Sequence, residues 1–176
     1  MGQRKNERDT IEQYDYKDTD YLASILDDFA PAIGSFLINF SVLEHELTIA
    51  IAEFLVDDYH PLGLVIADRL TTNSKIDLFY RLCVLRDAMT SRGTKVVKKL
   101  RQRLDEVNRF RNQLVHASWG SLSKDGFVHT RADVDDSDGI VKRIRLSVSP
   151  ELIQERIEEI TDLIEMLDNY TDEVEP

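Results

Sequence analysis

One cysteine, one tryptophan, four prolines and seven glycines are all that 176 residues hold of those four types. A lone thiol makes neither an intramolecular disulfide nor a thiolate metal site. Cys83 sits in the apolar run FYRLCVLRDAM and reads as a small core residue. The four histidines, His45, His60, His116 and His129, fall at no zinc-ligand spacing. The acidic turn DVDDSDG fails as a calcium loop, because with Gly139 as its glycine Val134 and Arg145 take the first and twelfth ligand positions. A metal or cofactor is therefore not expected. Glycine-rich phosphate loop, nucleophile elbow and dinucleotide fingerprint are missing as well. So is a long unbroken apolar run: the richest stretch, residues 36–56, is interrupted by Glu44, His45, Glu46 and Glu53, which argues against a membrane span. The first 19 residues are polar throughout and read as a disordered tail without a secretory leader, so a cytoplasmic protein is expected.

Bases are scarce too, 22 Lys and Arg against 33 Asp and Glu, a net charge of −11 that by itself disfavours nucleic acid. Their placement points the other way. Residues 92–111 hold eight of them (Arg92, Lys95, Lys98, Lys99, Arg101, Arg103, Arg109 and Arg111) with only Asp105 and Glu106, leaving 14 bases against 31 acids elsewhere. One basic helix in an acidic protein is expected. Lys98, Lys99, Arg103 and Arg109 are its candidates for contact with RNA phosphates. The competing reading is a solvated face neutralised by acidic neighbours.

With 42% apolar residues the chain can bury a core, and its length suits one domain over residues 20–176. The spacing predicts a short helix over residues 20–29, with Leu22, Ile25, Leu26 and Phe29 on one face, ended by Pro31 and Gly34. A long helix follows on the seam Phe36, Phe40, Leu43, Leu47, Ala50 or Ile51, and Phe54, and HPLG ends it. A turn or two of helix fits residues 64–70, and a third helix starts among Thr72, Asn73 and Ser74 with Ile76, Phe79, Leu82 or Cys83, and Leu85 or Met89 as its stripe. The basic helix runs on Val97, Leu100, Leu104 and Val107, and the same steps reach Arg111 and Leu114. Arg111 thus holds a core-stripe position, costly for a charge unless it is paired or serves an interface or site.

After His116 the period changes to two. ASWGSLS, GFVHTRADV and IVKRIRLSV read as a small antiparallel meander inserted over about residues 117–148, with Phe127, His129 and Arg131 on one face. Ser149 then caps, Pro150 opens and Glu151 suits the first turn of a last helix on Ile153, Ile157, Ile160, Ile164 and Leu167. The fold class is mostly α, an up-and-down helical bundle with a β insertion before its final helix.

The residues that carry chemistry cluster at the end of the basic helix, in FRNQLVHASWG. Asn112 and His116, four apart, are stacked neighbours, while Arg111 lies about 140° round the helix from His116. Arginine holds and neutralises a phosphate; histidine transfers a proton. Cleaving RNA through its own 2′-hydroxyl is helped by an acid and a base, and a two-fold dimer supplies both by duplicating one histidine.

RNQLVH resembles the R-x4-6-H signature of the HEPN superfamily, with a polar residue after the arginine, and FSVLEHELTIAIAEFL and NSKIDLFYRLCVL resemble that family's bundle helices. The similarity covers residues 29–116 and the last helix. It implies a dimer in which two motifs share one cleft, and metal-independent endoribonuclease activity of the kind found in toxin–antitoxin, abortive-infection and CRISPR-associated defence systems, with an antitoxin or other partner protein. Carried over, Arg111 and His116 are catalytic, Asn112 orients them, and Glu44 is a further candidate to pair with Arg111. Ser118 stands where members silenced by a nucleotidyltransferase antitoxin have tyrosine, so that control is not expected. The alternative from another class is a non-catalytic helical interaction module that keeps Arg111 and His116 for folding: an ion pair to Glu44 and a favourable place at a helix C-terminus. Trp119 reads as a packing anchor at the junction of helix and strand.

Overall fold

A computed structural model describes residues 19–55, 61–90, 94–122, 126–134 and 141–172. The expected N-terminal tail and the tip of the DVDDSDG turn lie outside them. In order come α1 (Thr19–Leu55), α2 (Pro61–Asp68), α3 (Thr72–Thr90), α4 (Lys95–Val115), a single 3-10 turn (Trp119–Ser121), β1 (Phe127–Val134), β2 (Val141–Ser147) and α5 (Pro150–Asp172). The chain is mostly helical, as its periodicity indicates.

α1 touches α3 and α5, α4 touches the same two, and α1 and α4 meet only lightly. The four helices therefore stand at the corners of a square, with α1 and α4 on its diagonal. Phe36, Phe40, Leu43, Leu47 and Ile51 of α1 fill the centre with Ile76, Phe79 and Cys83 of α3, Val97, Leu100, Leu104 and Val107 of α4, and Ile153, Ile157, Ile160, Leu163 and Leu167 of α5. These are the stripes read from the spacing. Phe54 and Ile164 are only partly buried, Ile164 packing beside the buried Leu163, and Leu26 and Leu85 are exposed.

The expected break at Pro31 and Gly34 does not occur, and α1 runs straight through both. A proline inside a helix removes one hydrogen bond and costs about 3 kcal/mol. Pro31 is exposed, as is Asp27 one turn before it, so the carbonyl left without its N–H faces water. On the opposite side Phe29, Ala32 and Ile33 pack against the core, and the Phe29 ring lies 5.6 Å from that of Trp119. That burial on both sides of Pro31 holds the first turns in line with the rest.

By length and composition the 30-residue stretch Leu26–Leu55 of α1 would cross a membrane, but its buried face is the centre of the bundle. α2 starts with Pro61 at its first position, where the missing N–H costs nothing. It lies against α1 so closely that a Cβ on Gly63 would sit 2.8 Å from the Ala52 carbonyl oxygen. We expect Gly63→Val to destabilise the protein by about 3 kcal/mol, since backbone rather than a side chain must yield. A thermal melt unchanged within error would show that α2 shifts freely.

The caps differ in two places from the sequence, since Thr94, which its position marks as a cap for α4, stands at the N-cap without a side-chain hydrogen bond. Thr71, one residue earlier than expected, caps α3, its Oγ1 accepting from the Ser74 N–H at 3.3 Å. Ser149 caps α5 through the Leu152 N–H, as its position indicates. Glu151, exposed in that first turn, has its carboxyl held below the usual range by its own backbone N–H and by Ser149.

β1 and β2 form one antiparallel pair. The third segment of the expected meander instead winds into the 3-10 turn and contributes a single bridge, Ser118 to His129. A bulge between His129 and Arg131 also changes the faces: His129 pairs with Arg145 and Arg131 with Ile144, so the two basic side chains no longer share a side. Gly126, at φ 74°, leads into the hairpin, and its carbonyl accepts from the Val148 N–H at 2.8 Å. Trp119 anchors the junction, its Nε1 donating to the Leu114 carbonyl at 3.2 Å.

Candidate active site at the end of α4

The last turn of α4 places its three polar residues differently. Arg111 is half-buried and points across the diagonal of the bundle, its guanidinium 5.6 Å from the centre of the Phe40 ring on α1. Its Nη1 donates to Asn112 Oδ1 at 3.1 Å, while its Nε is buried without a hydrogen-bond partner. His116 closes the helix, its N–H donating to the Asn112 carbonyl at 3.1 Å, with its ring exposed. Asn112 therefore stands between the other two, bonded to one through its side chain and to the other through its backbone. Among the described residues the Arg111 and His116 side chains do not meet, as a separation of about 140° on one helix requires.

Glu44 takes a different partner from the one its position suggested. Its Oε1 accepts from Thr72 Oγ1 at 2.7 Å and faces Lys75 Nζ at 3.7 Å. Lys75 is 5% exposed, and nothing in the sequence marks it, because a lysine at a helix start normally reaches water. One turn before Asn112, the buried Asn108 donates to Asn73. A narrow crevice opens between α1, α3 and α4, lined by Phe40, Glu44, Thr72, Ile76, Leu104 and Asn108. Arg111 borders it through Phe40. Asn108 occupies a core-stripe position of α4, the one signal in the sequence that could have marked it.

The basic helix divides by direction. Arg101 is engaged by Asp77 of α3 at 3.1 Å and stacks 4.4 Å over the Tyr80 ring; Arg81, and then Arg101, hold the Asp77 carboxyl below its usual range. Arg103 turns to α5, reaching Glu159 at 3.7 Å and Asp162 at 3.5 Å. These two arginines join neighbouring helices. Lys95, Lys98, Lys99 and Arg109 are exposed on the outer face, the side on which Asn112 and His116 also lie. Of the four expected RNA contacts, Lys98, Lys99 and Arg109 remain available and Arg103 is committed to the bundle.

A second polar cluster sits at the far side of the core. Tyr170 Oη donates to Asp87 Oδ1 at 2.8 Å, and Cys83 lies beside them. Burial pushes the Cys83 thiol up to about 12 and raises the Tyr170 hydroxyl as well. The thiol is therefore an inert core group. His45 is exposed on α1. Among the described residues no group of three or more His, Cys, Asp or Glu is placed to hold a metal ion.

Searches against protein-family models, curated proteins and solved structures find no match to this chain.

Proposed function

We propose that this protein is a metal-independent endoribonuclease of HEPN type, acting in the cytoplasm as a homodimer, in a toxin–antitoxin or other defence system with a partner protein. The observation that carries the reading is the Arg111–Asn112 hydrogen bond beside an exposed His116, at the end of a helix whose outer face is basic. In this reading Arg111 holds a phosphate, Asn112 fixes the guanidinium, and His116 transfers a proton. Cleavage should persist in EDTA, leave a 2′,3′-cyclic phosphate, and fail on DNA or at a 2′-deoxy position. A preparation that cuts DNA or stops on chelation does not use these residues in this way. Sedimentation at micromolar concentration reads the assembly, and a monomer there counts against the dimer.

RNA docking on α4 is tested by charge reversal on its outer face. Lys98→Glu, Lys99→Glu and Arg109→Glu together should weaken binding and flatten its dependence on salt by about two to three in the log–log slope, one for each phosphate no longer neutralised. An unchanged slope would make the outer face of α4 a solvated surface. Arg103 is left out because its reversal would set two acids of α5 against a third.

A non-catalytic interaction module is the second reading. It is favoured by the exposed apolar side chains Ile38 and Val42 on α1 and Leu62, Val65 and Ile66 on α2. Absence of any RNA cleavage, with binding to a helical partner retained, would select it.

A further inference from the structure

We infer that His129, carried by the β-hairpin, is the second proton-transferring residue of the same site, within the same protomer as His116. The inference rests on the ribonuclease reading above. The hairpin is tied to the chain directly after α4: the Ser118 N–H donates to the His129 carbonyl at 2.7 Å, and the His129 N–H donates to Ser121 Oγ at 2.9 Å.

Bridged antiparallel residues have Cα atoms about 5 Å apart, and two residues of chain span at most about 7 Å, so the two histidine Cα atoms lie no more than about 12 Å apart. Val128 is wholly buried against the bundle, so alternation turns His129 to the other face of the hairpin, with Arg145 opposite it and Ser118 beside it. His116 is exposed at the same junction, one turn after Asn112 and on the same side of α4 as Arg109.

The chemistry asks for this spacing rather than contact. In transesterification the attacking 2′-oxygen and the leaving 5′-oxygen lie on opposite sides of phosphorus, so acid and base must straddle a phosphate. One imidazole takes the 2′-hydroxyl proton as that oxygen bonds to phosphorus. The bond from phosphorus to the 5′-oxygen breaks, and the 5′-oxygen receives a proton from the other histidine, in its imidazolium form. The products are a 2′,3′-cyclic phosphate and a 5′-hydroxyl, with no water consumed. Arg145 stands across the strand from His129 on the face that would meet the phosphate.

The test uses the full chain and an RNA oligonucleotide with one cleavable linkage, alongside the same strand with a 5′-bridging sulfur leaving group. His129→Gln should lower cleavage about 10²-fold or more and remove one limb of the bell-shaped pH profile. Melting should hold within a few degrees, because the bridge is made by backbone. His129→Thr, a better strand former, serves if glutamine unsettles the hairpin. Recovery of either variant on the sulfur substrate, which needs no proton to leave, assigns His129 as the acid; loss on both substrates assigns it as the base. A His129→Gln enzyme with wild-type rate and an intact bell, beside an inactive His116→Ala enzyme, overturns the inference and leaves the ribonuclease reading standing, with the partner's imidazole as the second group. A wild-type chain that cuts no RNA overturns both.

Discussion

His116→Ala should abolish RNA cleavage, by at least about 10²-fold, while the protein melts within a few degrees of wild type. The ring is exposed, and its backbone N–H, which closes the helix onto Asn112, survives the substitution. What the fold loses is the interaction of a cationic imidazole with the end of α4, worth about 0.3–1 kcal/mol and only when the ring is protonated. The cleavage assay and the thermal melt together read the result. Retained activity with a large drop in melting temperature would make His116 a helix cap and remove it from the chemistry.

Arg111→Met should separate stability from activity in opposite directions. The methionine stem can cover Phe40 as the arginine stem does, and it removes a guanidinium whose Nε is buried without a partner. Replacing an incompletely bonded buried polar group by an apolar one of similar shape is neutral or stabilising. Stability should therefore hold or rise, while cleavage falls about 10²–10³-fold for want of the group that meets the developing charge. Arg111→Lys should not restore the rate, since it keeps the charge but loses the planar fork that Asn112 fixes. A methionine variant that melts far lower and still cuts RNA would mean that the arginine serves the fold.

The helices were legible because each carries its own stripe, and the core of α4 falls on the positions the spacing marks, with most of those of α3 and α5. What the spacing could not show is what neighbours supply. Pro31 marks a break in any local reading; the burial of Phe29 and Ile33 against the bundle overrides it. ASWGSLS alternates like a strand, yet Trp119 is drawn back to the Leu114 carbonyl and the segment winds up. At the site, Arg111 announced itself by standing in a core stripe, and His116 by its place four residues after Asn112. The partner of Glu44 was not legible, because Lys75 lies 31 residues further along and nothing in its neighbourhood marks it as buried. Nor was the approach of His129, which depends on a bridge formed only when the hairpin folds back past the 3-10 turn.

The square of helices is closed by its first and last members, since α1 packs against α5 along much of its length and Tyr170 fastens α5 to α3 through Asp87. On a ribosome the chain emerges from α1 onward, and the apolar face of α1 must wait for α5 while everything between them is made. Contacts of such long sequence separation pay their loop-closure entropy before they are rewarded, so they set the pace of folding. The Arg111 corner, which leans across the diagonal onto α1, takes its final form only as that ring closes. Synthesis and maturation of the site are thus coupled in time: a nascent chain that already displays RNQLVH holds the α1 wall against which Arg111 rests, but not the α5 that closes the ring around it.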